Sequence, residues 1–177
     1  MILAFCDTET TGLSVEKGDK IVEICFRLYD LDTQKLTGSF VQRIDPQRSI
    51  AADAQRVHGI SSSDLIGKPV FKDVAQGIID ILNDSDLFIA HNLAFDAEFI
   101  ISEIVAAGFD MPKINGFDTM AARWATPLGK NPNLGELCFA LGVDYDPSKA
   151  HSAEYDVDVT AKCFFAGLDR GFYVLPE

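Results

Sequence analysis

Positive charge is in short supply in this sequence. Only 15 Lys and Arg stand against 27 Asp and Glu in 177 residues, which gives a formal net charge of −12 and a pI near 4.5. That balance excludes broad, sequence-independent coating of DNA or RNA, which depends on clustered cations displacing counterions from many phosphates. A small nucleic-acid site stays open, because part of the acidic excess can serve as ligands for divalent cations. A bound cation reverses the local sign where a phosphate must approach. Cysteine is equally sparse: Cys6, Cys25, Cys138 and Cys163 are widely separated in apolar stretches. With no CxxC pair and no Cys/His spacing suited to zinc, they read as reduced core thiols. No apolar run approaches the roughly 20 residues that cross a bilayer, and the start, Met1 to Asp7, lacks the basic region and small-residue cleavage site of a signal peptide. No membrane association and a cytoplasmic location are therefore expected. Internal repeats, low-complexity tracts and long linkers are missing too, so a single domain over residues 1–177 is expected.

What the chain does have is apolar mass. Hydrophobic residues make up 47% of it, including 13 Phe, enough for a core that needs neither disulfides nor a structural metal. Residues 2–6 form a short apolar run that predicts a buried central strand. From Lys20 to Tyr29, Val22, Ile24, Phe26 and Leu28 alternate with Glu23, Cys25 and Arg27, the pattern of a half-buried strand. The polar stretch 30–37 turns the chain into a run over 38–44 closed by Pro46, which predicts an antiparallel hairpin. An irregular stretch through His58-Gly59-Ile60 follows. Helical spacing then appears over 70–82 and over 93–107, the latter with Ala97, Ile100, Ile101, Ile104 and Val105 as its stripe and Gly108 past its end. Strands are expected at 86–90 and 114–117, and helices around Leu134 to Leu141 and Val157 to Leu168. A hairpin leading into strand–helix repeats implies an α/β mixed sheet with helices packed on it.

Several residues stand where chemistry is possible. Asp7 and Glu9 end the first strand two residues apart, so both carboxylates project to one side while Thr8 points away. Such a pair invites a cation, although an isolated Asp-x-Glu is more often a solvated strand end. Thr10-Thr11-Gly12 makes a polar turn in which Gly12 is free to take positive φ. Asp96 opens a helix in His91-Asn92-Leu93-Ala94-Phe95-Asp96, where it also suits the helix dipole, with Asn92 as N-cap. Asp156 borders the apolar stripe of the last helix beside the small residues Thr160, Cys163 and Gly167, whereas Asp158 reads as solvated surface. His151 precedes that helix. Ser152 is a plausible N-cap, which leaves His151 on a loop, free to swing toward the carboxylates as a general base. Taken together, these groups suggest two-metal hydrolysis of a phosphodiester.

The segments DTETTGL at 7–13, HNLAFD at 91–96 and HSAEYD at 151–156 resemble, in order and spacing, the motifs of the DEDDh family of 3′-to-5′ exonucleases. VHGI at 57–60 and Phe117-Asp118-Thr119 are similar to the family as well. The resemblance covers Met1 to about Leu168. It implies an RNase H-like fold with a five-stranded sheet in the order 3-2-1-4-5, strand 2 antiparallel, flanked by helices. It implies that Asp7, Glu9, Asp96 and Asp156 hold two divalent cations, Mg²⁺ or Mn²⁺, with Asp7 bridging, Asp96 acting partly through water, and His151 as general base. Thr8, Thr10, Thr11, Leu13, His58, Asn92 and Phe95 are the implied substrate contacts, Thr10 and Thr11 near the 3′-hydroxyl and Leu13 near the base. For Phe95, packing at a helix start and stacking on a base are both open. The chain departs from the family pattern at Glu154 and Val157, where an apolar residue and a small Ala are usual. Lys130, Lys149 and Arg123 lie in segments that flank the site, but no basic cluster marks a long track. The implied activity is release of nucleoside 5′-monophosphates from DNA 3′ ends, single strands preferred. RNA ends, docking on a polymerase or other replication partner, and a phosphatase acting on nucleotides are the alternatives.

Overall fold

The computed structural model describes residues 1–175. Five strands form one sheet: β1 (Ile2–Thr10), β2 (Ile21–Asp30), β3 (Lys35–Arg43), β4 (Leu87–Ala90) and β5 (Gly116–Asp118). Their order is β3-β2-β1-β4-β5, with β2 antiparallel to β1 and β3, and β4 parallel to both β1 and β5. This is the mixed sheet that the motifs imply.

Because β1 runs through the middle, its two faces seed two cores. Leu3 and Phe5 face α4 (Leu134–Leu141) and α5 (Ala153–Asp169), where Phe5 meets Phe164 edge to face at 5.3 Å between centroids. Ala4 and Cys6 face α2 (Phe71–Asp84) and α3 (Leu93–Ala106). The polar end of β1 thus emerges between two helical layers. All four cysteines are buried and unbridged, and the Cys138 and Cys163 sulfurs lie 3.5 Å apart. Among the described residues, no helix is long and apolar enough to cross a membrane.

Several local expectations need correction. β1 continues past residue 6 through Thr10, so the acidic pair lies inside a paired strand, opposite Cys25 and Glu23. β2 is buried on both faces from Ile21 to Arg27 instead of half-buried, because α5 covers the face that carries Cys25 and Arg27. β3 starts at Lys35, which narrows the turn to residues 31–34. The stretch before Gly59 is helical, α1 (Ala52–His58). The buried face of α3 is built on Asp96, Phe99, Ile100, Glu103 and Ile104, whereas Val105 is exposed. Glu103 is held inside by Lys20 and by the Ile21 N–H, which lets a carboxylate sit in a helix's buried face. The fifth strand begins two residues later than expected, at Gly116.

Candidate active site

Strand alternation sends Asp7 and Glu9 toward α5, where Asp156 stands in the first turn. One oxygen from each of the three carboxylates lies within 4.8 Å of the others. Burial, followed by repulsion from Asp96, Glu9 and Asp156, holds the Asp7 carboxyl well above the ordinary carboxylate range. Burial and then the Asp156 and Glu23 charges push Glu9 up to about 9. Burial also raises Asp156, although the His151 N–H donates to its Oδ2 at 2.8 Å. The other oxygen, Oδ1, is buried with no hydrogen-bond partner.

Asp96 arrives from the opposite helical layer. It is 3% exposed in the first turn of α3, and the Thr8 hydroxyl donates to its Oδ1 at 2.8 Å. Burial raises its pKa to about 7 against the opposing effect of these hydrogen bonds. Thr8 does point away from its two neighbours, and this hydrogen bond is what it does there. Asn92 occupies the N-cap position of α3 in a left-handed conformation (φ 84°), with no side-chain cap. Its backbone N–H donates to Asp118 Oδ1 at 3.0 Å, and the residue lines the cleft.

Two concavities meet at the carboxylates. One, of about 470 Å³, is lined by Thr8, Glu9, Thr10, Leu13, His58 and Phe95 among others. The second, about 700 Å³, includes Asp7, Asn92, Tyr145, His151 and Asp156. Leu13 and Phe95 border both, and Leu13 is 86% exposed. Thr11 is placed differently from Thr10. It is fully buried beneath the turn, where its hydroxyl donates to Asp19 and accepts from the Lys20 N–H, both at 3.0 Å. Gly12 does not take positive φ; a Cβ there would fall 2.4 Å from the Asp19 carboxylate, so the glycine supplies space. His58 Nδ1 accepts from the Ile60 N–H, which leaves Nε2 to donate to the Thr10 carbonyl at 3.2 Å. Burial lowers its pKa, so this ring is a neutral wall with both nitrogens engaged. His151, in contrast, is exposed, with backbone φ of 63°, on the loop just before N-cap Ser152.

Sequence reasoning missed Met120, Asn133 and Tyr145, which also line the second concavity. The capping box of Asn133 and Glu136 was the available signal for Asn133. Of the candidate flanking cations, Lys149 lies in the groove beside His151. Lys130 is paired with Glu136, and Arg123 donates to Asn131. Asp158, expected to be solvated, keeps 45% of its side chain exposed and is also ion-paired with Arg27 at 3.1 Å.

The profile of the family described as "Exonuclease" matches residues 4–164. The chain belongs to the DEDDh family of 3′-to-5′ exonucleases. It is 34% identical over 163 residues to the DNA polymerase III subunit epsilon of Rickettsia felis, covering 89% of this chain and 70% of that one. It is 33% identical to the 3′-5′ exonuclease DinG of Bacillus subtilis over 93% of its own length, which is 17% of DinG. A solved structure of exonuclease X with 5′-overhanging duplex DNA superposes with a TM-score of 0.72 at 22% identity, covering 97% of this chain and 94% of that one. It shares the RNase H-like fold. DEDDh membership implies use of divalent metal, and the site fits it. Three mutually repelling carboxylates offer only hard oxygen donors, and one of them, Asp156, has a buried oxygen with no hydrogen-bond partner.

Proposed function

We propose that this chain is a metal-dependent 3′-to-5′ exonuclease that hydrolyses phosphodiester bonds at DNA 3′ ends, single strands preferred, and releases nucleoside 5′-monophosphates. The observation that carries the reading is the convergence of Asp7, Glu9 and Asp156 at the meeting point of two concavities, with His151 on the rim. Asp7, Glu9 and Asp156 would hold two cations, Mg²⁺ or Mn²⁺, with Asp96 behind them. Such ions supply Lewis-acid polarisation of the phosphate and a lowered pKa for the attacking water. His151 accepts the proton of that water as its oxygen bonds to the scissile phosphorus. The bond from phosphorus to the O3′ of the penultimate nucleotide breaks, and that oxygen takes a proton from solvent and leaves as the new 3′-hydroxyl. Thr10, Leu13, His58 and Phe95 wall the smaller concavity and seat the terminal nucleotide; Asn92 lines the larger one. Thr8 contributes through Asp96, and Thr11 through the turn beneath.

The name of the epsilon-subunit relatives supports DNA as substrate and a polymerase or other replication partner. With 15 cations on the whole chain, recognition is confined to a few nucleotides at a frayed or single-stranded end. The deciding experiment is a gel time course on a 5′-labelled single-stranded DNA and its RNA counterpart, with Mg²⁺, with Mn²⁺ and with chelator. A metal-dependent ladder shortening from the 3′ end, faster on DNA, is expected. A faster RNA ladder would reassign the substrate. No ladder on either, from folded protein, would overturn the activity in favour of a partner-docking role.

A further inference from the structure

Arg27 is a buried cation on β2, one same-face step along the strand from Cys25, the partner of Asp7, and all three guanidinium nitrogens are engaged. Nε donates to Asp158 Oδ1 at 3.1 Å, Nη2 to Glu154 Oε2 at 2.8 Å, and Nη1 to Ser39 Oγ at 2.6 Å. Its side chain is 11% exposed, whereas those of Glu154 and Asp158 are 55% and 45% exposed. Glu154 and Asp158 are one helical turn apart and form a single stripe of α5. Asp156 lies midway between them in sequence, about 160–200° around the helix, on the other side of its axis. A rotation of α5 that moved Asp156 away from Asp7 and Glu9 would therefore have to break the Arg27 fork. Buried ion pairs often add little net stability over apolar packing, so a gain in stability alone does not account for this network. What a rigid, planar fork contributes is orientation.

Resting on the exonuclease reading, we propose that Arg27 is a positioning residue: the Glu154–Arg27–Asp158 bridge fixes the rotation of α5 and so sets the Asp156 carboxylate into the cation-binding group.

The test is Mn²⁺ affinity of the purified full chain, read by electron paramagnetic resonance, alongside kcat at saturating Mn²⁺. Arg27→Met removes a positive charge and makes the neighbourhood more negative, so electrostatics alone predicts tighter Mn²⁺ binding. Loss of positioning predicts binding weaker by roughly tenfold or more, with kcat partly restored at high Mn²⁺. Cooperatively folded Arg27→Met with equal or tighter Mn²⁺ binding overturns the proposal. Should Arg27→Met fail to fold, two double variants of equal charge carry the comparison. Glu154→Gln with Asp158→Asn keeps acceptors for the fork, whereas Glu154→Ala with Asp158→Ala removes them. Only the Ala pair is expected to lose affinity beyond the shared charge effect, and equal affinities overturn the bridge. A parent chain that binds no Mn²⁺ at millimolar concentration overturns the metal reading and this proposal with it; an active parent beside an unchanged Arg27→Met removes the bridge alone.

Discussion

The two banks of the cleft are built in opposite ways. On the bank formed by residues 10–20, hydrogen bonds run between separate elements. The Thr11 N–H donates to Lys20 O at 2.8 Å, the Ala51 N–H donates to Thr11 O at 2.9 Å, and the Asp19 carboxylate gathers Thr11, the Ser14 N–H and Arg48. On the bank formed by residues 146–152, the bonds stay local. Ser148 and Lys149 bond only to Asp146, Asp146 bonds to the Tyr155 hydroxyl, and His151 is held by its N–H to Asp156. The first bank cannot move without disturbing β1, β2 and α1, whereas the second can shift by releasing a few surface bonds. The wall proposed to seat a nucleotide is thus fixed, and His151, the proposed proton acceptor, is carried on a segment with local freedom.

The largest expected effect lies where the banks meet. Asp7→Asn should abolish metal-dependent turnover with the fold intact, seen as loss of the ladder beside an unchanged circular dichroism spectrum; retained turnover would remove Asp7 from the cation group. On the looser bank, His151→Ala should lower turnover by about 10²–10⁴-fold, the usual contribution of a general base. Substrate binding should persist in fluorescence anisotropy, and unchanged turnover would free His151 of the role. On the fixed bank, Thr11→Val leaves the Lys20 N–H without its acceptor and removes one of three donors to Asp19, and it should cost about 1–3 kcal/mol in chemical denaturation. An effect confined to kcat, with no loss of stability, would contradict the scaffold role.

A pH effect separates the site from both banks. Glu9 titrates near 9 when folded and near its ordinary value of 4.5 once unfolded, so between these values the folded form holds a proton that the unfolded form has released. Folding stability without metal is therefore full below about pH 4.5 for this group, and it falls as the pH rises toward 9. Thermal melts in chelator should drop from about pH 5.5 to about pH 8.5, a window that lies between the two pKa values. Glu9→Gln should flatten that slope and melt above the parent at the alkaline end; a parallel slope would show that Glu9 is not the source. The smallest and most direct comparison is hydrogen exchange. Amides of residues 147–151 should exchange faster than those of residues 11–20, and equal protection would erase the distinction between the banks.

How far the site could be read from sequence depended on the range of the interactions. Asp7 and Glu9 declare themselves because a two-residue spacing on a strand is a local fact. Asp96 and Thr8 are 88 residues apart, so their hydrogen bond exists only through the sheet. Arg27 interrupts what reads as the solvent face of β2. That face is buried because Glu154 and Asp158, 127 and 131 residues away, neutralise the guanidinium from α5. Asp158 looked like free surface because its partner lies 131 residues away and 45% of its side chain is in fact exposed. α1 escaped notice because it has only 7 residues, none buried, and Ala51 gives no side-chain cap. Periodicity has nothing to register in such a segment. The strand order, in contrast, was implied by the resemblance that the motifs carry.

The raised carboxylates also make the cleft an exchanger. If Asp7, Glu9 and Asp156 hold the cation as proposed, it enters as protons leave, so occupancy by metal and occupancy by protons are two fillings of one space. Each proton displaced per ion adds about a tenfold gain in apparent affinity per pH unit below the displaced group's pKa. Such a site answers to the ratio of the two cations, and an acidified compartment would silence it with its metal supply unchanged.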